Sequence, residues 1–446
     1  MMKRFRWLIV VWMLGMGVAT LVVLFSAPDV GRAQSETDPP GQISTQWPDF
    51  FGGMKAYRVD SVDNLASAIA YNSVRGEYLI VWEDHYASEI AVYGKRACAD
   101  TGAPFDPAIQ IAHHSTYTRC QPAVAHSPVQ DKYLVVFAGE SKSSLPPYTN
   151  YCIVGQPVNG YGPITELGFP IQANTNHQRH PAIAYNSAND EFLVVWDEEQ
   201  GTGGWHNIWA QRINAGDWSF EPGPVCIATG GSKHRSRPDV AYNSVRNEYL
   251  IAYTQGPITG GNIYAKVVDA GLTTPLSITE FAIVYNTNLQ DDVALAAGPD
   301  EYLAVWQDGP SVSYRTIYAR RVSGAGTTPA PPFLLDEVTN HVCGAPDVSS
   351  LNSYGYLAFW YCDHGAPIFK KNIYGESLTS GENMHSVGVA YAIAALGDAT
   401  DPAIACTPHG DCLQTASLTV SSGSDFEIYG TVMRSDHLYL PLLLAD

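Results

Sequence analysis

One stretch of this chain, residues 181–199, recurs in recognisable form along most of the 446 residues. It reads PAIAYNSANDEFLVVWDEE, and it has close relatives on both sides. The other copies, which with this one are numbered 1 to 7 in chain order, begin at Ser67, Pro122, Pro238, Asp292, Pro346 and Pro402. Repeats of this kind bury their apolar faces against their neighbours, so we expect one continuous array and not several unrelated domains.

Each repeat predicts four strands. In repeat 3, residues 182–185 and 191–196 flank a polar turn, which is the pattern of a β-hairpin. The second run is apolar at consecutive positions, so both of its faces must be covered. A third strand carries an Ile-Trp or Ile-Tyr pair, as at Ile208 and Trp209, and a short fourth segment closes the unit. Four antiparallel strands per repeat are typical of one propeller blade.

A large aromatic residue ends the second strand in six of the seven repeats. These residues are Trp82, Phe137, Trp196, Tyr253, Trp306 and Trp360, and Ser417 stands at the same place in repeat 7. Because each repeat must pack against the next, we expect these aromatic side chains to form the core and not to stack on a ligand.

The chain ends predict how the ring closes. Tyr57, Arg58 and Val59 precede repeat 1 by the distance at which residues 171–173 precede repeat 3, so the N-terminal segment is expected to supply the outer strand of the last blade. The predicted fold is all-β: a seven-bladed β-propeller of four-stranded antiparallel blades over residues 54–434, closed by an N-terminal strand.

This pattern resembles secreted bacterial β-propeller repeat proteins, broadly the WD40-like and sialidase-like propellers. The chain lacks the Ser-x-Asp-x-Gly-x-x-Trp box of sialidases and the strict Trp-Asp strand ending of WD40 repeats. The resemblance therefore implies a fold but no particular activity, since propellers host hydrolases, lyases and binding proteins alike.

The N-terminus predicts export. Lys3, Arg4 and Arg6 precede an apolar run over residues 7–25, and a small-residue site ends at Ala33. Residues 1–33 are thus expected to be a secretory signal peptide, with an uncleaved membrane anchor as the alternative. We expect residues 34–53 to be a flexible spacer, residues 435–446 to be an apolar tail, and the protein to be secreted or on the cell surface.

A net charge of −19 argues against nucleic acids and anionic membranes as partners. No His-Glu-x-x-His, Cys-x-x-Cys, Gly-x-Ser-x-Gly or phosphate-binding glycine loop is present. We expect no cofactor, with weak calcium binding as the alternative, and a monomer.

Eight cysteines, all in the exported part, are consistent with disulfides. The hairpin register predicts the pairs Cys343–Cys362 and Cys406–Cys412, with Cys120–Cys152 a weaker third. Cys98 and Cys226 have no predicted partner.

The loops before the first strands and after the second strands emerge at one end of a propeller, where sites usually lie. They predict catalytic candidates Glu83, Asp84, Asp197, Glu198 and Asp308, and ligand-binding candidates Arg119, Arg179, Arg237, His180, Tyr148, Trp205 and Asp363. The competing interpretation of each acid is structural, because a carboxylate after a strand often accepts hydrogen bonds from turn backbone.

Strong repeats without catalytic signatures favour a non-catalytic module that binds a glycan or a protein. The alternatives are a glycoside hydrolase, with a carboxylate pair from the five acids and a clamp formed by Arg119, Arg179 and Arg237, and a purely structural envelope component.

Overall fold

The computed structural model describes residues 56–58, 64–86, 89–105, 107–113, 119–140, 151–201, 204–231, 233–256, 261–272, 279–335, 342–351, 355–363, 371–381, 391–393, 399–419 and 426–433. All of them belong to one compact unit, Phe51–Asp446. The predicted signal peptide, spacer and C-terminal tail lie outside the described residues.

Every repeat forms the predicted hairpin and a third strand. The inner strands, which begin each hairpin, are β2 (Asn64–Asn72), β6 (Arg119–Ser127), β10 (Gln178–Asn186), β14 (His234–Asn243), β18 (Leu289–Ala297), β22 (Val342–Ser350) and β26 (Ala399–Cys406). The second strands are β3 (Glu77–Tyr86), β7 (Lys132–Glu140), β11 (Glu191–Gln200), β15 (Glu248–Gly256), β19 (Glu301–Ser311), β23 (Gly355–Asp363) and β27 (Cys412–Thr419).

The remaining strands lie farther from the centre. The third strands are β4 (Glu89–Cys98), β8 (Tyr151–Asn159), β12 (Trp205–Asn214), β16 (Asn262–Asp269), β20 (Tyr314–Ser323), β24 (Lys371–Thr379) and β28 (Phe426–Met433). The outer strands are β1 (Ala56–Arg58), β5 (Ile109–Ala112), β9 (Phe169–Gln172), β13 (Phe220–Ala228), β17 (Phe281–Val284), β21 (Phe333–Leu334) and β25 (Tyr391–Ile393).

The inner strands contact one another in a closed circle, since β26 of repeat 7 contacts β2 of repeat 1. The ring closes as the sequence predicts, because β1 pairs with β28 and Tyr57 lies opposite Gly430. Antiparallel sheets arranged radially around a centre define a β-propeller.

The prediction of seven separate blades is wrong. Five four-stranded blades are present, and the remaining strands, β18 to β25, form one eight-stranded sheet. A parallel bridge between Arg315 of β20 and Val342 of β22 joins its two halves. The outer strand β21 pairs with Tyr318 and Ala319, and the bridge to β22 lies nearer the start of β20, before that paired stretch.

The core lies between adjacent repeats, as predicted. Trp82, Trp196 and Trp306 are completely buried, and Trp306 packs in one cluster with Ala252 and Ile263 of the preceding repeat. Burying each of these side chains stabilises the fold by roughly 1.5–3 kcal/mol relative to exposure.

Both preferred disulfides are present, Cys343–Cys362 and Cys406–Cys412. The third predicted pair is wrong, because Cys120 is a free thiol. Cys120 lies opposite Ala138 and Cys152 opposite Gly139, so the two cysteines flank β7 on opposite sides. Two strand spacings separate them by about 9–10 Å, which is beyond the reach of a disulfide.

Cys98 and Cys226 are also free thiols. Within the described ranges no helix is long and apolar enough to cross a membrane.

Candidate binding site at the central cavity

A β-bulge interrupts the pairing of every inner strand at the same place. In repeat 3 the register shifts between Arg179 and Ala182, and in repeat 4 between Ser236 and Asp239. Six bulge residues have left-handed backbone with φ between +45° and +58°: Gln121, His180, Arg237, Asp292, Ala345 and Asp401. We call these six residues the bulge ring. None is glycine, although this conformation costs other residues about 1–2 kcal/mol, and recurrence around the ring shows that the bulge is a structural device.

The bulge ring lines a central cavity of about 600 Å³ enclosed by the inner strands. Prolines and small apolar residues from the same strands, such as Pro181 and Ala182, line the rest of it. This volume is typical of a pocket for a small molecule, and pockets of that kind combine an apolar lining with a few polar groups that fix the ligand.

Two of the predicted acids, Glu83 and Asp197, link one repeat to the next at the bulge ring. Glu83 Oε1 accepts a hydrogen bond from the backbone N–H of Gln121 at 2.5 Å. Asp197 Oδ2 accepts from the N–H of Arg237 at 3.3 Å. The side chain of Gln121 makes a similar link to the next inner strand, since its Oε1 accepts a hydrogen bond from the N–H of His180 at 2.9 Å. Glu83 and Asp197 therefore hold the bulged backbone of the following repeat.

Asp197 also holds two histidines. The side chain is completely buried, and its oxygens lie 2.6 Å from Nδ1 of His180 and 2.6 Å from Nδ1 of His206. Burial alone would raise the pKa of Asp197, but the two imidazoles outweigh it and hold the pKa well below its usual range. The ionised carboxylate thus fixes the orientation of His180, a member of the bulge ring.

The His206 ring meets the edge of His234 at 4.4 Å between centroids. Burial lowers the pKa of His234, and the neighbouring His206 lowers it further. Of Asp197 and the three histidines His180, His206 and His234, only His180 lines the cavity.

The side chain of Arg237 contacts repeat 5. Its guanidinium forms an ion pair with Asp291 and another with Asp292, the latter at 2.8 Å. Gln307 Nε2 donates to the other oxygen of Asp292 at 2.5 Å. Burial raises the pKa of Asp292; Arg237 opposes this rise, and the Asp291 carboxylate adds to it.

Glu198 and Asp308 have equivalent places in repeats 3 and 5, and each lies opposite a glutamine of the inner strand, Gln178 and Gln290. Each of these glutamines is the last residue of a motif Asn-Thr-Asn-x-Gln, at residues 174–178 and 286–290. The Nδ2 of Asn176 donates to Glu198 at 3.0 Å, and Nδ2 of Asn288 donates to Asp308 at 2.7 Å.

The first asparagine of each motif accepts from the glutamine at 2.6 Å in both repeats. These contacts give Glu198 and Asp308 the same local role, which is to anchor the loop that leads into the inner strand. The contacts of Glu198 and Asp308 are therefore those expected if these acids have a structural role.

The three predicted clamp arginines face different neighbours. The guanidinium of Arg179 lies over the ring of Tyr151 at 5.0 Å, the side chain of Arg119 packs against Gly139, and Arg237 faces Asp291. The structure does not bring them to one point.

The other candidates lie near the same end of the ring. Trp205 begins β12 and is 41% exposed, and Asp363 ends β23 and is half-buried. Asp84 is half-buried opposite Asn64. Tyr148 lies outside the described residues.

Sequence reasoning missed Asp239 and Asp347, which also line the cavity. Each accepts the N–H of the next inner strand at 2.7 Å, from Leu295 and Ile404 respectively. Burial raises the pKa of Asp239 to about 7, and the pKa of Asp347 to about 6.

A signal for these acids exists in the sequence, because the residue after the proline is Asp in repeats 4 and 6 and alanine in repeat 3. Asp292 and Asp401 were missed as well, because a left-handed bulge has no residue signature when glycine is absent from it.

The described residues contain no group of three or more His, Cys, Asp or Glu side chains arranged to hold a metal ion. Calcium binding stays a prediction.

Comparison with solved structures finds chains of similar fold at low sequence identity. The polysaccharide lyase Uly1 superposes with a TM-score of 0.52 at 7% identity, over 85% of this chain and 99% of that one. A protein of unknown function from Dyadobacter fermentans DSM 18053 has a TM-score of 0.48 at 11% identity, over 85% and 99% of the two chains. The K499G mutant of NanB sialidase from Streptococcus pneumoniae has a TM-score of 0.49 at 8% identity, over 85% and 70%.

No protein-family model and no curated protein sequence matches the chain. The fold and the site together define a β-propeller with a polar, ligand-sized central cavity.

Proposed function

We propose that this protein is a binding module that holds a glycan at the central cavity. The observation that carries the proposal is the bulge ring. Its backbone repeats from one inner strand to the next, while its side chains are an amide, an imidazole, a guanidinium, two carboxylates and a methyl group. A repeated scaffold that places unrepeated polar groups around one cavity is suited to ligand recognition.

The chemistry of these groups suits a sugar. Neighbouring hydroxyls donate to carboxylates such as Asp292 and Asp401, and accept from a guanidinium or an amide such as Arg237 or Gln121. Exposed aromatic residues lie at the end of the ring where the inner strands begin: Trp205, Tyr285 and Tyr314. Their faces are available to stack on sugar rings, as aromatic residues do in many binding sites.

The fold comparison supports a glycan over a protein as the ligand class. Uly1, a neighbour with a TM-score above 0.5, is a polysaccharide lyase. A shared fold does not transfer an activity, so this likeness supports the ligand class and no more.

A second candidate function is acid–base cleavage of the bound glycan, and the contact between His180 and Asp197 favours it. A buried carboxylate that binds Nδ1 fixes the tautomer of an imidazole and leaves Nε2 as the nitrogen for proton transfer. A hydrolase built on the five predicted acids has less support, because Glu83, Asp197, Glu198 and Asp308 have oxygens engaged by backbone, histidine or amide groups.

The test is glycan-array binding by the purified protein, with and without calcium, for the wild type and for the variants His180→Ala and Arg237→Ala. We expect the wild type to bind a glycan and both variants to bind it about tenfold or more weakly. A loss of this size corresponds to the removal of at least one charge-assisted hydrogen bond. The control is Arg246→Ala, at the opposite end of the ring beside Glu248, which is expected to bind as the wild type does.

Incubation of each hit with the protein, followed by analysis for shortened or unsaturated products, separates binding from cleavage. An intact hit supports the binding module, and a cleaved hit supports the second candidate. Binding that neither cavity variant changes would contradict the proposed location, and binding of proteins without any glycan would contradict the ligand class.

A further inference from the structure

Two aspartates line the central cavity at a position that the other repeats fill with alanine. Asp239 in repeat 4 and Asp347 in repeat 6 are the first residues to pair with the second strand after the bulge. The same position carries alanine in repeats 1, 2, 3, 5 and 7, at residues 68, 123, 182, 294 and 403. Pairing of the inner strands and closure of the ring therefore do not require a carboxylate here.

The two carboxylates destabilise the ring when they are ionised. Each accepts a backbone hydrogen bond at 2.7 Å from the inner strand of the next repeat, Asp239 from Leu295 and Asp347 from Ile404. These bonds do not make up for the loss of water, because burial raises the pKa of Asp239 to about 7 and that of Asp347 to about 6. The charge of Asp347 adds to the rise at Asp239. Acids of raised pKa that face a cavity, and that the fold does not need, are candidates for binding a ligand.

A third acid at the cavity is Asp401, a member of the bulge ring in repeat 7. Burial raises the pKa of its carboxyl, and a hydrogen bond from Thr400 and the charge of Lys371 oppose this rise. The ammonium group of Lys371 lies over the ring of Tyr361, at 5.1 Å, and not among the residues that line the cavity. Like Asp239 and Asp347, Asp401 forms no ion pair with a described residue.

The lining of the cavity therefore carries a net negative charge. Among the described residues, its other ionisable side chains are Asp292, Arg237 and His180. The guanidinium of Arg237 pairs with Asp292 at 2.8 Å, and the imidazole of His180 is held by the buried Asp197 at 2.6 Å. Neither group compensates the three remaining acids. A negative charge enclosed by protein attracts a cation, and repels an anion, more strongly than the same charge in water.

The spread of the acids selects an organic cation over a metal ion. A calcium ion takes about six to eight oxygen ligands within about 2.3–2.6 Å of one point. Asp239, Asp347 and Asp401 lie on three different inner strands around a cavity of about 600 Å³, and the described chain has no group of three or more His, Cys, Asp or Glu side chains arranged to hold a metal. A sugar that carries an ammonium group fills more of this space and offers its N–H donors to separate carboxylates.

We propose that the glycan held at the central cavity is an amino sugar, with its free ammonium group facing Asp239 and Asp347. This inference rests on the proposed function and names the class of glycan that the cavity takes. The two aspartates set the preference for an amine, because they depart from the alanine of the other repeats and face the cavity without a cation of their own. The ammonium group compensates the charge that destabilises the empty ring.

The experiment compares matched glycans as ligands of the full protein. Oligosaccharides of glucosamine, N-acetylglucosamine, glucose and glucuronic acid, with the same linkage and length, differ in the charged or neutral groups on the sugar ring, and a second set is built on galactose. We expect the amine member of a set to bind about tenfold or more tightly than the N-acetylated and neutral members, and the acidic member to bind most weakly. Tighter binding of a neutral or acidic member would overturn the inference and leave the proposed function in place. Absence of binding by every glycan would contradict both.

Variants at the two aspartates separate this site from the general negative charge of the protein. Asp239→Asn and Asp347→Asn remove the charge and keep an oxygen that accepts the N–H of Leu295 or Ile404. Each should weaken binding of the amine member about tenfold and leave binding of the neutral member nearly unchanged. The double variant should lose most of the preference for the amine. A double variant that keeps the full preference would overturn the inference.

The control is Asp300→Asn, at a side chain that is 75% exposed and pairs with Arg246 at the opposite end of the ring. It removes the same charge from the protein and should bind every member as the wild type does. Asp239→Ala, which installs the residue of five other repeats, provides a second variant if the asparagine variant fails to fold, as judged by its melting temperature. Equal weakening of the amine and neutral members by the aspartate variants would show that these acids only support the cavity, and would contradict their role in selecting the ligand.

Discussion

The Oδ2 atom of Asp197 lies 2.6 Å from Nδ1 of His180 and, at 3.3 Å, accepts the N–H of Arg237 in the next repeat. One buried carboxylate thus orients a cavity-lining imidazole and secures the bulge of the adjacent inner strand. Assembly of the ring and display of the site depend on the same side chain.

Replacing Asp197 by Asn should destabilise the protein by about 3 kcal/mol at pH 7, because loss of one partner from a buried charged network leaves the others without compensation. Because folding lowers the pKa of Asp197, the stabilisation by its carboxylate is present above the unfolded pKa, near 3.8. This stabilisation is lost as the pH falls below that value. Urea unfolding at pH 7 and pH 3 should therefore show a large difference between wild type and variant at pH 7 and a smaller one at pH 3. Asp300→Asn, at a side chain that is 75% exposed, is the control and should change little. A difference independent of pH would contradict the assignment of charge.

Replacing Asp239 by Asn should have the opposite dependence on pH. The folded pKa, about 7, is above the unfolded value of 3.8, so the folded state binds more protons between them and wild-type stability falls as the pH rises through this window. The variant removes that loss while its amide oxygen still accepts the N–H of Leu295. We expect Asp239→Asn to give a flatter stability profile between pH 4 and pH 8, with a gain at pH 8 of about 1 kcal/mol or more. Asp347, whose carboxylate also lines the cavity, remains in the variant and accounts for any residual slope.

Replacing Ala345 by Gly should stabilise the protein slightly. Ala345 has φ of +45°, where alanine is strained by about 1–2 kcal/mol and glycine is not, although glycine loses more chain entropy on folding. The expected net gain is about 0.5–1 kcal/mol. The control is Ala403, which follows the bulge on the inner strand of repeat 7 and is absent from the left-handed residues of the described chain. Ala403→Gly should cost about 0.5–1 kcal/mol. Thermal unfolding of both variants checks the pair, and a loss in both would contradict strain at the bulge.

Removal of the two disulfides should have unequal effects. The bridge between Cys343 and Cys362 closes a separation of 19 residues, and the bridge between Cys406 and Cys412 a separation of 6. The chain-entropy model gives about 3.3 kcal/mol for the longer loop and about 2.2 kcal/mol for the shorter one. Unfolding of the two double alanine variants measures the order, and a larger loss from the shorter loop would show that entropy of the unfolded chain does not decide it.

Much of the fold was accessible from the sequence because its signals are local. Consecutive apolar residues such as Leu193, Val194 and Val195 specify a strand covered on both faces, and the hairpin register alone places Cys343 opposite Cys362. The closing role of Tyr57 followed from spacing alone. The error in blade count has a different cause, since the joined sheet depends on one backbone bridge between Arg315 and Val342 of neighbouring repeats, and a contact between repeats leaves no pattern in the sequence.

The candidate site was accessible only in part, for a physical reason. The sequence determined the repeats, the hairpins, the core aromatics and the acid-bearing and base-bearing loops, because each arises from residues adjacent along the chain or in adjacent strands. Only the tertiary structure decided that Asp197 binds His180 and the backbone of Arg237, and that Glu198 and Asp308 anchor loops. Such relationships depend on contacts between strands and between repeats, and hydrogen-bond partners across a ring interface are set by the bulge that turns each inner strand toward the cavity.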